Sequence, residues 1–374
     1  MSSQSFLQEQ EDILLVKDLK VTFHTYAGDV KALDGVELSV RKGEIFGLVG
    51  ESGCGKSVTS LTIAALLPQN AEIVSGEIVL DGIDLLKMKK SDMRLARLRD
   101  IALIFQDPMT YLNPVLTVGS QITEILTDEP KLFTKTLIRN RLDELHKQAE
   151  EGVSGKQEEM RRLQSLPNDG KLSRRELNRL ARFYTLSILK LVRLSESDRV
   201  FKMYPFELSG GMRQRVMIAM ALVRRPKIIL ADEISTALDV TVQAQILKLL
   251  MELKEKIDTS VILITHDLAV VAEVCDRVAV MYAGNIIEVA GIEELFQNPL
   301  HPYTHGLLSS IPRPDTTSQE LKTIRGSVPD LIYPPPGCRF HPRCSAALDR
   351  CSKEKPKLVE VKPGHFVSCF PHGG

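Results

Sequence analysis

The chain has 374 residues, 43% of them hydrophobic, and carries 48 Lys and Arg against 48 Asp and Glu. That length can bury a full core and more than one domain, while the balanced charge provides no net field toward nucleic acid. No apolar run approaches the roughly 20 residues that cross a bilayer, and MSSQSFLQEQEDILLV lacks the basic-then-apolar order of a secretory signal, so the expected compartment is the cytosol.

In chain order, ILLVKDLKVTF and VKALDGVELSV gather apolar residues in short runs and predict strands. EIFGLVG predicts a buried strand delivering the chain to the loop Gly50–Ser57, with VTSLTIAALL as the helix behind it. GEIVLDG predicts a strand closed by a turn, and DIALIFQDP one stopped by Pro108. Between Pro130 and about Asp198 the composition shifts to strong helix formers with much charge and leucines three and four apart. This predicts amphipathic helices broken near Gly152 and at LPNDG, whose charged faces read most simply as solvated decoration. KIILADE and SVILITHD predict two more apolar strands, and VAVMYAGNIIEVAG a hairpin turning at Gly284–Asn285. After about Gly291 the chain becomes proline-rich and predicts an irregular appendage. Strands alternating with helices predict an α/β fold: a mainly parallel sheet under helices, with an antiparallel section from the first strands and the late hairpin.

The segment GESGCGKS fits G-x-x-x-x-G-K-[ST] between a predicted strand and a predicted helix, the context of a phosphate-binding loop. Gly50, Gly53 and Gly55 let backbone N–H groups curl around phosphate oxygens, Lys56 reaches the β- and γ-phosphates, and the Ser57 hydroxyl binds Mg²⁺. Glu51, Ser52, Cys54 and Val58 complete the stretch expected at the nucleotide. Cys54 needs no further role, and Cys275 reads as core. In KIILADE, Asp232 is placed to hold Mg²⁺ and Glu233 to orient or deprotonate the attacking water. Gln106, Asp239 and His266 follow other apolar stretches on what should be the same sheet edge. A second anion site is signalled by LSGGMRQR, where Ser209, Gly210 and Gly211 open a helix.

Cys338, Cys344, Cys351 and Cys369 crowd the end of the chain with the spacing C-x₅-C-x₆-C-x₁₇-C. In a reducing compartment such thiols point to metal before disulfides. Short Cys-x-x-Cys knuckles are absent; four thiolates can hold a [4Fe–4S] cluster, which tolerates varied spacing, and the competing readings are zinc on Cys and His and unliganded thiols.

Taken together, the phosphate loop, Gln106, LSGGMRQR, IILADE, STALD and His266 resemble, in order and spacing, the ATP-binding-cassette ATPases. The resemblance covers about residues 13–290, the insertion near 130–180 aside. It implies a phosphate-loop core with an antiparallel β subdomain and a helical subdomain near 107–210, followed by an extension over 291–374. It also implies head-to-tail pairing, in which Ser209, Gly210, Gly211 and Gln214 meet the nucleotide held by a second cassette and Asp239 joins the inter-subunit loop. Gln106 would contact Mg²⁺ or water, Glu233 would be the base, His266 the γ-phosphate contact, and Tyr26 the aromatic on adenine. Ile234 departs from the proline usual after the glutamate.

QDPMTYLNP, ALDVTVQAQI, HPYTHGLLSSIP and the cysteine tail resemble more narrowly the first ATPase subunit of bacterial oligopeptide and dipeptide importers. This implies ATP, Mg²⁺ and the cluster as cofactors. The implied partners are a second, similar ATPase, two permease subunits and an external peptide-binding protein, with no nucleic acid and a peripheral position on the cytoplasmic side of the membrane. The alternatives are an importer of nickel or another small solute and, from a different class, a soluble ATPase acting on DNA or ribosomes.

Overall fold

The computed structural model describes residues 12–105, 107–150, 157–166, 172–234, 239–256, 259–310 and 324–374. Its strands are β1 (Asp12–Thr25), β2 (Gly28–Arg41), β3 (Ile45–Val49), β4 (Ala71–Leu80), β5 (Ile83–Asp84) and β6 (Ile101–Ile104), then β7 (Ile228–Asp232), β8 (Ser260–Thr265), β9 (Arg277–Tyr282), β10 (Asn285–Gly291), β11 (Val359–Lys362) and β12 (His365–Val367). The chain divides into two compact units, residues 1–97, 227–233 and 250–374 in one and 98–226 and 234–249 in the other.

The first unit holds two sheets. One is antiparallel, in the order β2-β1-β4-β5, and buries Leu14, Val16, Leu19, Val21, Val36 and Leu38. In the other, β7, β8, β3 and β9 run parallel as neighbours, and β10, β12 and β11 continue the sheet antiparallel. The parallel strands are largely apolar, as strands covered on both faces must be; every residue of β3 and β8 is buried. An α/β fold with a mainly parallel core and an antiparallel β section is what the sequence predicts.

Two local expectations change. The β9–β10 register pairs Tyr282 with Asn285, so the turn is Ala283–Gly284, one residue earlier than Gly284–Asn285. Both turn residues have positive φ, 44° and 79°, as a type I′ hairpin requires. A side chain at Gly284 would meet the Ala32 carbonyl at 2.5 Å, which fixes glycine there. The helix after the phosphate loop ends at Ile63 rather than running on to Leu67. Ala65 takes a left-handed φ of 51° while its N–H and that of Leu66 bond back to Thr62 and Leu61, a Schellman stop without the usual glycine.

The proline-rich tail is built into the sheet rather than appended. It forms helices Ile292–Gln297 and Pro302–Ser309, and then β12 pairs with β10 through Glu288↔Val367 and Val289↔Phe366. Glu288, fully buried, accepts the N–H groups of Leu300 at 2.7 Å and His301 at 2.9 Å, and bonds His365 Nε2 at 2.8 Å. Burial alone would raise its pKa, but these hydrogen bonds hold it below the usual range.

The second unit is mostly helical. Helices Pro130–Glu150, Gln157–Gln164 and Arg174–Leu191 stop at 150 and 164, before the expected breaks near Gly152 and at LPNDG, and those breaks fall outside the described residues. Leu177, Leu180, Ala181, Tyr184, Ile188 and Leu189 make the buried stripe of the third helix, at the spacing of one helix face. Arg141 is buried, bonded to Glu144 and Glu159, with its guanidinium 3.9 Å from the Phe183 ring centre.

Candidate nucleotide site

Parallel strands deliver their C-terminal ends to one edge, and there ligands bind in this class of sheet. In the first unit β3 pairs with β8 through Val49↔Thr265, and β8 with β7 through Ile264↔Asp232. Register therefore brings the phosphate loop, the Asp232–Glu233 pair and His266 to a common level. A cleft of about 390 Å³ opens there, lined by Gly50, Glu51, Ser52, Glu233, His266 and, from the tail, Leu307. A larger groove of about 750 Å³ lies at the opposite strand ends, by Glu44, Asp276 and Arg277. Its charges are paired with one another, as in Lys254–Asp276 and Arg277–Glu44.

The phosphate loop needs its glycines. A side chain at Gly50 would meet the Met281 carbonyl at 2.2 Å; one at Gly55, where φ is 111°, would meet Leu33 and Met281 at 2.8 Å. Helix Lys56–Ile63 starts on Gly55 with no side chain capping it, which leaves its first N–H groups to a ligand. Ser52, Gly53 and Ser57 are exposed, Glu51 and Val58 half-buried, Cys54 buried. Lys56 Nζ donates to the carbonyls of Gly50 at 2.7 Å and Glu51 at 3.0 Å.

Asp232 is close enough to the Ser57 hydroxyl for the latter to favour its charged form. Its Oδ1 is buried without a hydrogen-bond partner. Burial foremost, and then the neighbouring Glu233, hold its pKa up against Ser57 and Lys56. An unpartnered buried carboxylate oxygen beside a hydroxyl suits a hard cation, so the residues present fit Mg²⁺. Glu233 stands in a left-handed backbone conformation, φ 49°, and its Oε1 is 3.3 Å from His266 Nδ1. Ile234, in the place of the usual proline, is buried. Tyr26, at the tip between β1 and β2, is fully exposed rather than part of the core.

In the second unit Ser209 caps helix Gly210–Leu222, its Oγ accepting the Met212 N–H. Gln214 is buried with Nε2 unpartnered. Asp239 Oδ1 accepts the Val242 N–H at 3.0 Å, and Val242 in turn packs on Gly211. Gln106 lies outside the described residues.

The profile of the ABC transporter family matches residues 33–236. The chain belongs to this family. A second profile, the C-terminal region of oligopeptide/dipeptide transporters, matches residues 287–351. The dipeptide transport ATP-binding protein DppD of Bacillus subtilis is 44% identical over 96% of this chain and 95% of its own length. The oligopeptide transport ATP-binding protein OppD of Escherichia coli is 43% identical over 97% and 94%. Among solved structures, a dimeric ATP-binding cassette bound to ADP and Pi in a post-hydrolysis state aligns with a TM-score of 0.56 at 26% identity, over 75% of this chain and 98% of that one. The cassette is an ATP-binding, ATP-hydrolysing protein. Among the described residues no helix is long and apolar enough to cross a membrane.

In the tail, Cys351 is buried and Cys338, Cys344 and Cys369 are half-buried, all four as free thiols. Burial first, and then the other three thiols, push Cys369 up to about 12, so the four lie within electrostatic reach of each other. Among the described residues no group of three or more His, Cys, Asp or Glu lies close enough together to hold one metal ion. No sequence motif assigns a role to Tyr303 or Arg343, which bond the phosphate loop from this tail. Only their place in HPYTHG and HPRC marked them, and those motifs carry no chemistry by spacing.

Proposed function

We propose that this cassette powers a bacterial importer of oligopeptides or dipeptides. The observation that carries the reading is the joint occurrence of an ABC nucleotide site and the oligopeptide/dipeptide C-terminal region in one chain. Its partners are a second cassette, two permeases and an external peptide-binding protein, with the protein held peripherally at the inner membrane face. The chain's phosphate loop and Lys56 bind the triphosphate, and Tyr26 stacks on adenine. Ser57 and Asp232, with Gln106, hold Mg²⁺, which supplies charge neutralisation at the β- and γ-phosphates. Glu233 takes the proton of the attacking water at its carboxylate, and His266, held by Glu233, contacts the γ-phosphate. Ser209, Gly210, Gly211, Gln214 and Asp239 serve the nucleotide of the paired cassette.

For the tail we propose a [4Fe–4S] cluster on Cys338, Cys344, Cys351 and Cys369. The all-sulfur donor set and the mutual influence of the thiols support it. The test is affinity isolation of the chain from its native membrane under anaerobic conditions. Two permeases, a second cassette, peptide-stimulated ATP hydrolysis and about four irons per chain are expected. Stimulation by a nickel-loaded binding protein in place of peptide would replace the substrate assignment, and isolation with ribosomes or DNA would overturn transport.

A further inference from the structure

Glu51, the second residue of the phosphate loop, is held from three directions. Its N–H donates to Tyr303 Oη at 3.0 Å, and its carbonyl accepts from Lys56 Nζ at 3.0 Å. Its carboxylate takes both arms of the Arg343 guanidinium, Nη1 to Oε2 at 2.9 Å and Nη2 to Oε1 at 3.1 Å. Only Lys56 belongs to the loop; the other two partners come from the tail, far along the chain. Both are fixed. Tyr303 is fully buried and packs with Tyr282 and Phe340, ring centres 4.7 and 5.4 Å away. Arg343 has a side chain only 8% exposed and donates through Nε to the Arg325 carbonyl at 2.9 Å.

A two-armed fork fixes direction as well as charge. Without it, the Glu51 carboxylate would stand uncompensated at the mouth of a loop that receives a polyanion. The loop would also keep conformations that nucleotide binding must then remove, at a cost in affinity. We propose that Arg343 and Tyr303 are positioning residues of the ATPase, pre-ordering the phosphate loop through Glu51 and cancelling its charge before the triphosphate arrives. The tail is then a working part of the nucleotide site. This deepens the ATPase reading and rests on it.

The alternative is a staple that merely fastens the tail to the core, and the two roles separate on charge. The experiment uses the full chain with Arg343→Met, Arg343→Lys, Glu51→Gln and the two corresponding double variants. It measures the Kd of a fluorescent ATP analogue, KM and kcat for ATP, and the melting temperature. Arg343→Met is expected to raise Kd and KM on the order of tenfold, the scale of a lost charge-assisted hydrogen-bond pair, with kcat changed by less than about threefold. Arg343→Lys should fall between Arg343→Met and wild type. Adding Glu51→Gln to either variant should bring Kd back toward wild type, because the uncompensated carboxylate is then gone. A staple predicts lower melting temperatures with no such recovery. An unchanged Kd in Arg343→Met and Arg343→Lys, or a Glu51→Gln effect that simply adds to theirs, overturns the proposal. If Arg343→Met does not fold, the Lys pair decides. Wild-type chain that binds no analogue would instead overturn the ATPase reading itself.

Discussion

Asp232→Asn should move stability in opposite directions with and without metal. In the metal-free protein the carboxylate sits partly buried beside Glu233, with Oδ1 lacking any hydrogen-bond partner. Asparagine keeps the shape and an acceptor for the Ser57 hydroxyl but removes the charge. A buried polar group left unsatisfied costs about 1–3 kcal/mol, and more when it is charged, so the neutral amide, though still unsatisfied, should recover about 1 kcal/mol. With Mg²⁺ and ATP at a hundred times Kd, the wild type gains about 2.7 kcal/mol by linkage. The variant should lose most of that gain. Thermal denaturation in chelator and in Mg-ATP would then show the variant above wild type in the first and below it in the second. The gap in chelator should close as pH falls through the raised Asp232 pKa, because the protonated acid is uncharged like the amide. A variant that melts below wild type in chelator would mean the carboxylate is already compensated. One that keeps the full Mg-ATP shift would remove Asp232 from the metal site.

Glu233→Gln is expected to lower kcat by about 10²–10⁴, the range for a lost general base, with the nucleotide Kd unchanged; single-turnover hydrolysis and analogue binding separate the two. His301 is buried, and burial foremost depresses its pKa to about 4. Its neutral Nδ1 accepts the Tyr303 N–H at 3.1 Å. The unfolded chain therefore binds the proton first, so this contribution is complete above about 6.5 and is lost as pH falls toward 4. His301→Asn should flatten the melting-temperature profile over that window. In the second unit, a Cβ at Gly211 would lie 2.8 Å from Val242 Cγ1. Gly211→Ala should cost about 1–3 kcal/mol by overpacking, and Val242→Ala should restore most of it in chemical denaturation.

Much of the site was legible because its chemistry is local. A glycine-rich turn between an apolar strand and a helix needs its residues at fixed offsets, so Gly50–Ser57 could be read directly, and β7 and β8 ended on Asp232–Glu233 and His266 as their apolar runs predict. Other features had no local mark. Ala65 and Ala283 adopt left-handed backbone where glycine or asparagine would have signalled it. The three residues of β12 are too few to show an alternation.

By itself the sequence determined the α/β class, the phosphate loop, the acidic pair and the family. Each of these depends on residue type at short separation, where propensity and hydrogen-bond geometry act directly. Only the tertiary structure decided that the tail closes on the loop, since Arg343 and Glu51 are 292 residues apart and an ion pair at that distance exists only once the fold has brought both segments together. Register between β3, β8 and β7 likewise brings the three chemical groups to one level, and no spacing along the chain contains that alignment.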